Sequence, residues 1–276
     1  MKRGPISTLL AALSGLLLAA LFSNPICWAQ PPAPAPVEVP GPDIEVREID
    51  RGVFVVTHSF PWEANSLLVM VGENEALFVD TPYTPEATSC ILDRLEERHG
   101  AKVILEINTG FHIDNLGGNQ ALMDRGIPVY GSDRTVQLLR ERGEESRALM
   151  LSLLQGPRNT RYREGHARTP YVPPDHLFPL EEGSVFTIGG ERVEVIFPGE
   201  THSPDNTVVY FPRRKILFGG CMVLAGEGPG NTADANMKTW KTAINGLRSL
   251  ECRYVVPGHG LRFDPGLIEN TIAVLP

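Results

Sequence analysis

Thr109-Gly110-Phe111-His112-Ile113-Asp114-Asn115-Leu116-Gly117-Gly118-Asn119 follows directly on the apolar run Val103-Ile104-Leu105-Glu106-Ile107. The run reads as a buried strand, and the polar, glycine-rich stretch after it reads as a loop at the strand's end. An imidazole and a carboxylate two residues apart therefore stand where a rigid scaffold commonly holds functional side chains. Three further segments repeat the arrangement. Gly199-Glu200-Thr201-His202-Ser203-Pro204-Asp205-Asn206 sets a second His between strands, and Phe218-Gly219-Gly220-Cys221 ends a strand on a thiol. Val255-Val256-Pro257-Gly258-His259-Gly260 ends another strand on a third His.

Working outward, strands are expected at 53–56, 66–71 and 75–80, and a helix at 86–98 that stops at Gly100. A short helix at 119–125, a strand at 128–130, and a helix capped by Ser132-Asp133 and running into the 150s follow. Charge, Gly and Pro in 155–174 suggest an exposed loop. Strands resume at 185–188, 192–197, 207–211 and 215–218; then come a helix at 236–250, a strand at 254–256 and a last helix from Pro265. The order implies two similar halves, packed sheet to sheet with helices outside.

The chain has 276 residues, 42% hydrophobic and 21% charged, with 27 Gly and 24 Pro. That is globular composition. A formal charge of −8 argues against nucleic acid or anionic membrane as the main partner. Lys2 and Arg3, the apolar run 9–22, and Cys27-Trp28-Ala29 read as a signal peptide over 1–29, with cleavage after Ala29. A lipid anchor at Cys27 is the rival, but Asn24-Pro25-Ile26 does not resemble a lipobox. The run is short for a membrane span, and no other stretch is long enough for one. Residues 30–43 read as a Pro/Ala-rich linker, with the folded domain over 44–276 and a periplasmic or secreted location. An exported chain would keep three cysteines, Cys90, Cys221 and Cys252, which cannot all pair.

Zinc takes imidazole nitrogen, thiolate and carboxylate oxygen, and a catalytic site keeps one position open. Asp114, Cys221 and His259 supply one of each. These segments, in this order, resemble the metallo-β-lactamase superfamily, and within it the cysteine-containing class B β-lactamases. Phe78-Val79-Asp80-Thr81-Pro82 is similar to the family's strand-end motif, where the residue at Asp80 supports the metal loop. Gly230-Asn231-Thr232-Ala233-Asp234-Ala235-Asn236 resembles the stretch whose first Asn lies near the substrate; a turn into an Asn236 helix cap is the alternative.

The resemblance implies an αββα sandwich and an exported zinc-dependent hydrolase acting on a small molecule, most simply a β-lactam, with a role in antibiotic resistance. Two departures bear on this. The family's metal loop reads His-x-His-x-Asp, whereas this chain has Gly110 at the first position. Only His112 and His202 then remain for a second zinc, which is expected to bind weakly or not at all. Asp114, His112 or His202 would orient or deprotonate the attacking water. Leu224 stands where most such enzymes carry a Lys for the substrate carboxylate; Arg262 is a possible substitute. A lactonase or thioesterase, or a zinc-binding protein with little catalysis, are the competing readings.

Overall fold

A computed structural model describes Met1 and residues 38–276; the expected signal peptide and most of the expected linker lie outside the described residues. Residues 38–276 belong to one compact unit. The chain opens with strands β1 (Glu38–Gly41), β2 (Ile44–Asp50), β3 (Val53–Ser59), β4 (Glu63–Met70) and β5 (Glu75–Val79). Helix α1 (Pro85–His99), strand β6 (Lys102–Ile107), helices α2 (Ile113–Leu116) and α3 (Asn119–Met123), strand β7 (Val129–Ser132), helices α4 (Asp133–Leu153) and α5 (Thr160–Arg168), and strand β8 (His176–Phe178) complete the first half. The second half holds β9 (Ser184–Ile188), β10 (Glu191–Ile196), β11 (Val208–Phe211), β12 (Ile216–Leu224), α6 (Trp240–Gly246), β13 (Tyr254–His259) and α7 (Leu267–Val274).

The strands make an eight-stranded sheet in the order β1 to β8 and a five-stranded sheet in the order β13-β12-β11-β10-β9. Both are mixed: β5 to β8 run parallel, as do β12 and β13. Strand alternation builds the layers. Val53 and Val55 face Val209, Phe211 and Phe218 across the central core, while Phe54 and Val56 face outward to Ile91 and Leu95 of α1. Val208 and Leu217 likewise face α6 and α7. Strands apolar on both faces have to be covered on both, which requires four layers. The expected αββα sandwich is the observed fold.

Four differences from expectation stand out. The strand expected at 215–218 runs on to Leu224, so Cys221 lies inside it rather than at its end. The expected linker 30–43 is already strand at Glu38–Gly41, because β1 pairs antiparallel with β2 and Glu38 meets Arg94 of α1 at 3.3 Å. Part of 155–174 is the helix α5, whose polar residues hid the buried His166 from a hydropathy reading. The helix expected from Asn236 starts only at Trp240. Asn236 is held instead by Glu200, its Nδ2 donating to Oε2 at 2.7 Å.

Beneath the site lies a buried acid. Glu106 is fully buried, its Oε1 accepting from Asn108 Nδ2 at 2.7 Å, while Oε2 has no partner among the described residues. Burial, with the charges of Asp80 and Asp175, pushes its carboxyl well above the usual range, so the folded chain holds a proton that the unfolded chain releases. That contribution is fully present below the unfolded value and is lost as pH rises towards the folded one, at up to about 1.4 kcal/mol per pH unit. Glu106→Gln removes the slope. In metal-free denaturation, the variant is expected to gain on the parent between pH 5 and 8; parallel curves would contradict it.

Candidate metal centre

The four motifs lie on or beside strands that the fold brings close together. Asp114 sits in the first turn of α2, just past β6; Cys221 lies within β12, and His259 ends the neighbouring β13. Their ligand atoms all lie within 4.8 Å of one another. Asp114 Oδ2 is 3.1 Å from Cys221 Sγ and 3.0 Å from His259 Nε2, and the last two are 3.8 Å apart. Residues 107 and 145 positions apart from Asp114 in the chain thus converge on one point.

The electrostatics follow from that crowding. Burial alone would raise Asp114, but the hydrogen bond and charge of His259 hold its carboxyl well below the usual range. Burial, then the charges of Asp114 and Asp80, push the Cys221 thiol up, so it stays protonated and donates to Asp114. For His259, desolvation is outweighed by the Asp114 carboxylate, which raises it. A carboxylate oxygen, a sulfur and an imidazole nitrogen aimed at one point form a donor set that a divalent cation such as zinc fits once it displaces the thiol's proton.

The surrounding shell holds these side chains in place. Asp80 is buried and accepts from Thr109 N and Thr109 Oγ1, each at 2.7 Å, and from Asn115 Nδ2 at 2.8 Å. Burial pushes its carboxyl up to about 8 against those three bonds. It thereby ties β5 to the loop carrying Asp114. His259 Nδ1 donates to the Glu63 carbonyl, fixing which ring nitrogen faces Asp114.

His112 and His202 also meet, their rings edge to face with centroids 5.2 Å apart. Burial and the nearby charge of His112 lower His202 to about 3, leaving a neutral imidazole against Trp240. Its buried Nδ1 has no partner among the described residues. Gly110 stands two residues before His112 in the same loop. A Cβ there would stand 2.6 Å from Asn206 Nδ2 and 3.1 Å from Asn115 Oδ1, so two amides occupy the space a side chain at 110 would need.

Asp234 was not singled out from the sequence as a partner of His112. Its Oδ2 accepts from His112 Nε2 at 3.1 Å, and its Oδ1 from Arg142 of α4 at 3.0 Å. Asp234 stood in the quoted 230–236 stretch, yet nothing local announces a contact 122 positions away. Arg262 is committed elsewhere: it pairs with Asp264 at 3.0 Å and donates to Asn270 at 3.3 Å. Leu224 is buried in β12, its N–H donating to Thr271 Oγ1 at 2.8 Å. Asn231 lies exposed, its Oδ1 accepting from Ala233 N at 3.1 Å.

The family model of the metallo-β-lactamase superfamily matches residues 60–259. This chain belongs to that superfamily. A metallo-β-lactamase type 2 from Pseudomonas aeruginosa is 30% identical over 239 residues, covering 83% of each chain. One from Bacillus sp. (strain 170) is 30% identical over 240 residues, covering 84% of this chain and 82% of the other. The solved structure of a metallo-β-lactamase from Pontibacter korlensis superposes with a TM-score of 0.68 at 32% identity, over 84% of this chain and 98% of that one. The chain is a β-lactamase-like hydrolase by family, and Asp114, Cys221 and His259 lie within the matched span.

Proposed function

We propose that the chain is an exported, zinc-dependent β-lactamase that opens the β-lactam amide with water. The mixed donor set Asp114, Cys221 and His259 carries the reading, joined to the likeness to metallo-β-lactamases type 2. These three residues would hold one zinc firmly; His112 and His202, lacking a third imidazole at Gly110, would hold a second weakly or not at all. The leader over 1–29 supports export and a periplasmic or secreted location. Among the described residues no helix is long and apolar enough to cross a membrane.

A zinc ion there would supply a Lewis acid that polarises the amide carbonyl and makes water more acidic. The protein's own groups do the rest. Asp234 holds His112 Nε2, which leaves Nδ1 to take a proton from the attacking water. His202, kept neutral by burial, lines the same space as a hydrogen-bonding wall. Asn231 turns its Oδ1 to its own backbone, which leaves its amide N–H group to donate to the substrate.

Turnover of nitrocefin and imipenem, with and without a chelator, tests the proposal. Chelator-sensitive, zinc-restored hydrolysis is expected; no turnover at any zinc level sinks it. A lactonase or thioesterase is the second reading, favoured because Leu224 is buried and Arg262 is already paired, so neither offers a cation to a substrate carboxylate. A lactone and thioester panel separates the two. Asp234→Asn is expected to cost about 10- to 100-fold in kcat/KM by freeing the His112 ring, the usual effect of removing a group that orients a site imidazole. An undiminished kcat/KM would remove Asp234 from the machinery.

A further inference from the structure

Helix α5 closes over the turn between β3 and β4. Phe60, in that turn, stacks on His58 and packs against Tyr162 and His166 of α5, each at a centroid distance of 5.2 Å. The helix backbone itself lies on the ring: a Cβ at Gly165 would stand 2.7 Å from Phe60 Cε1. His166 is buried, with Nε2 at 2.8 Å from the Phe60 carbonyl. A carbonyl only accepts, so Nε2 carries the proton. Its Nδ1 is then a buried acceptor with no partner among the described residues. Among the described residues, the bond to Phe60 is therefore the one polar contact that sets this ring.

A second tie flanks the first. Arg161 of α5 pairs with Asp43 at 2.6 Å, and the Asp43 carbonyl accepts from Ser59 N at 2.8 Å. Helix α5 is backed in turn by α4, where Arg147 donates to Thr169 O at 2.9 Å and lies over the Tyr171 ring.

What the clamped turn delivers lies three residues on. The turn closes with Phe60 N donating to Trp62 O at 3.1 Å, and Glu63 then offers the carbonyl that receives His259 Nδ1. Asn65, two residues further along β4, donates to the carbonyls of Pro257 at 3.0 Å and Gly260 at 2.7 Å, on either side of His259. The segment that α5 grips is thus the segment that orients one member of the Asp114–Cys221–His259 triad.

We propose that α5 acts as a clamp on the metal centre: Gly165 and His166 fix the turn at Phe60, and the turn fixes the Glu63 carbonyl that orients His259. His166 is in this sense a positioning residue for metal binding. The proposal rests on the triad being a metal site, and its test uses no β-lactam.

Cobalt(II) alone is the probe, titrated into the full chain against a chromophoric chelator, with amide hydrogen exchange followed over 58–64. His166→Ala is expected to bind cobalt about ten-fold more weakly, as when a group outside the ligand set is lost. Its amides at 60–64 should exchange faster, and the thiolate-to-cobalt charge-transfer band of Cys221 should persist. His166→Gln, which keeps a side-chain N–H for Phe60 O, should recover most of the affinity. Gly165→Ala keeps His166 but forces Phe60 away, so it should weaken cobalt binding and hasten exchange in the same way; it decides the matter if His166→Ala does not fold. Cobalt affinity unchanged in the substituted chains, with or without faster exchange, overturns the clamp. No cobalt binding by the unsubstituted chain overturns the metal reading and the clamp with it.

Discussion

Cys221→Ser is expected to lower both zinc affinity and β-lactam turnover by more than about 100-fold, beyond the usual cost of losing a group outside the ligand set. Serine replaces a polarisable sulfur, which a metal can deprotonate outright, by a hydroxyl that keeps its proton. The metal-free chain should hardly notice, because a serine hydroxyl can still donate to Asp114 as the thiol does at 3.1 Å. The two states therefore separate the ligand role from a packing role. At zinc a hundred-fold above its Kd, the parent should gain about 2.7 kcal/mol. For a domain of this size that is a rise of roughly 5–11 °C in Tm. The serine variant should show almost none. Binding should also strengthen as pH rises, since zinc must displace the proton that burial keeps on Cys221. Equal zinc affinity in the two proteins, by chelator competition, would take Cys221 out of the ligand set.

Gly117→Ala should be among the most damaging substitutions that leave every proposed ligand in place. A Cβ at 117 would stand 2.6 Å from the carbonyl carbon of Tyr83 and 2.8 Å from Ile113 O, both backbone atoms that cannot swing aside. The two segments it would separate are stitched together nearby, Thr81 N donating to Asn115 O at 2.9 Å and Gly118 N to Thr81 Oγ1 at 2.8 Å. Pushing them apart should cost about 3 kcal/mol. In Tm that is roughly 6–12 °C. It should weaken zinc binding too, because Asp114 rides on the same short helix. Gly143→Ala is the contrasting substitution. Its Cβ would meet nothing nearer than Leu139 Cδ2 at 3.9 Å, inside α4, so alanine should stabilise by about 1 kcal/mol. Thermal melts of the two variants check both; equal effects would mean that crowding at 117 is relieved by a backbone shift.

The paired glycines show how far sequence reading reaches. Gly117-Gly118 marked a turn beside Asp114, but the reason for glycine, a segment of chain from before α1 pressed against α2, has no local trace. Gly110 is similar. From the motif it was a missing imidazole; in the fold its place is taken by the amides of Asn206 and Asn115, which arrive from different segments. Residues 155–174 failed more plainly. Their charge and proline suggested a loop, whereas His166 is buried against Phe60 and Tyr83, and no hydropathy pattern marks a histidine as core.

The amino-acid order by itself determined the sandwich and the metal-binding candidates, because strands apolar on both faces must be covered on both sides and because His, Asp and Cys in glycine-rich stretches beside such strands stand out. Only the tertiary structure decided how closely Asp114, Cys221 and His259 approach, that Asp234 holds His112, and that α5 grips the turn serving His259. Those contacts join residues from 106 to 196 positions apart. Local periodicity carries which face of an element is buried; it carries nothing about which distant carbonyl or carboxylate the folded chain will set against it.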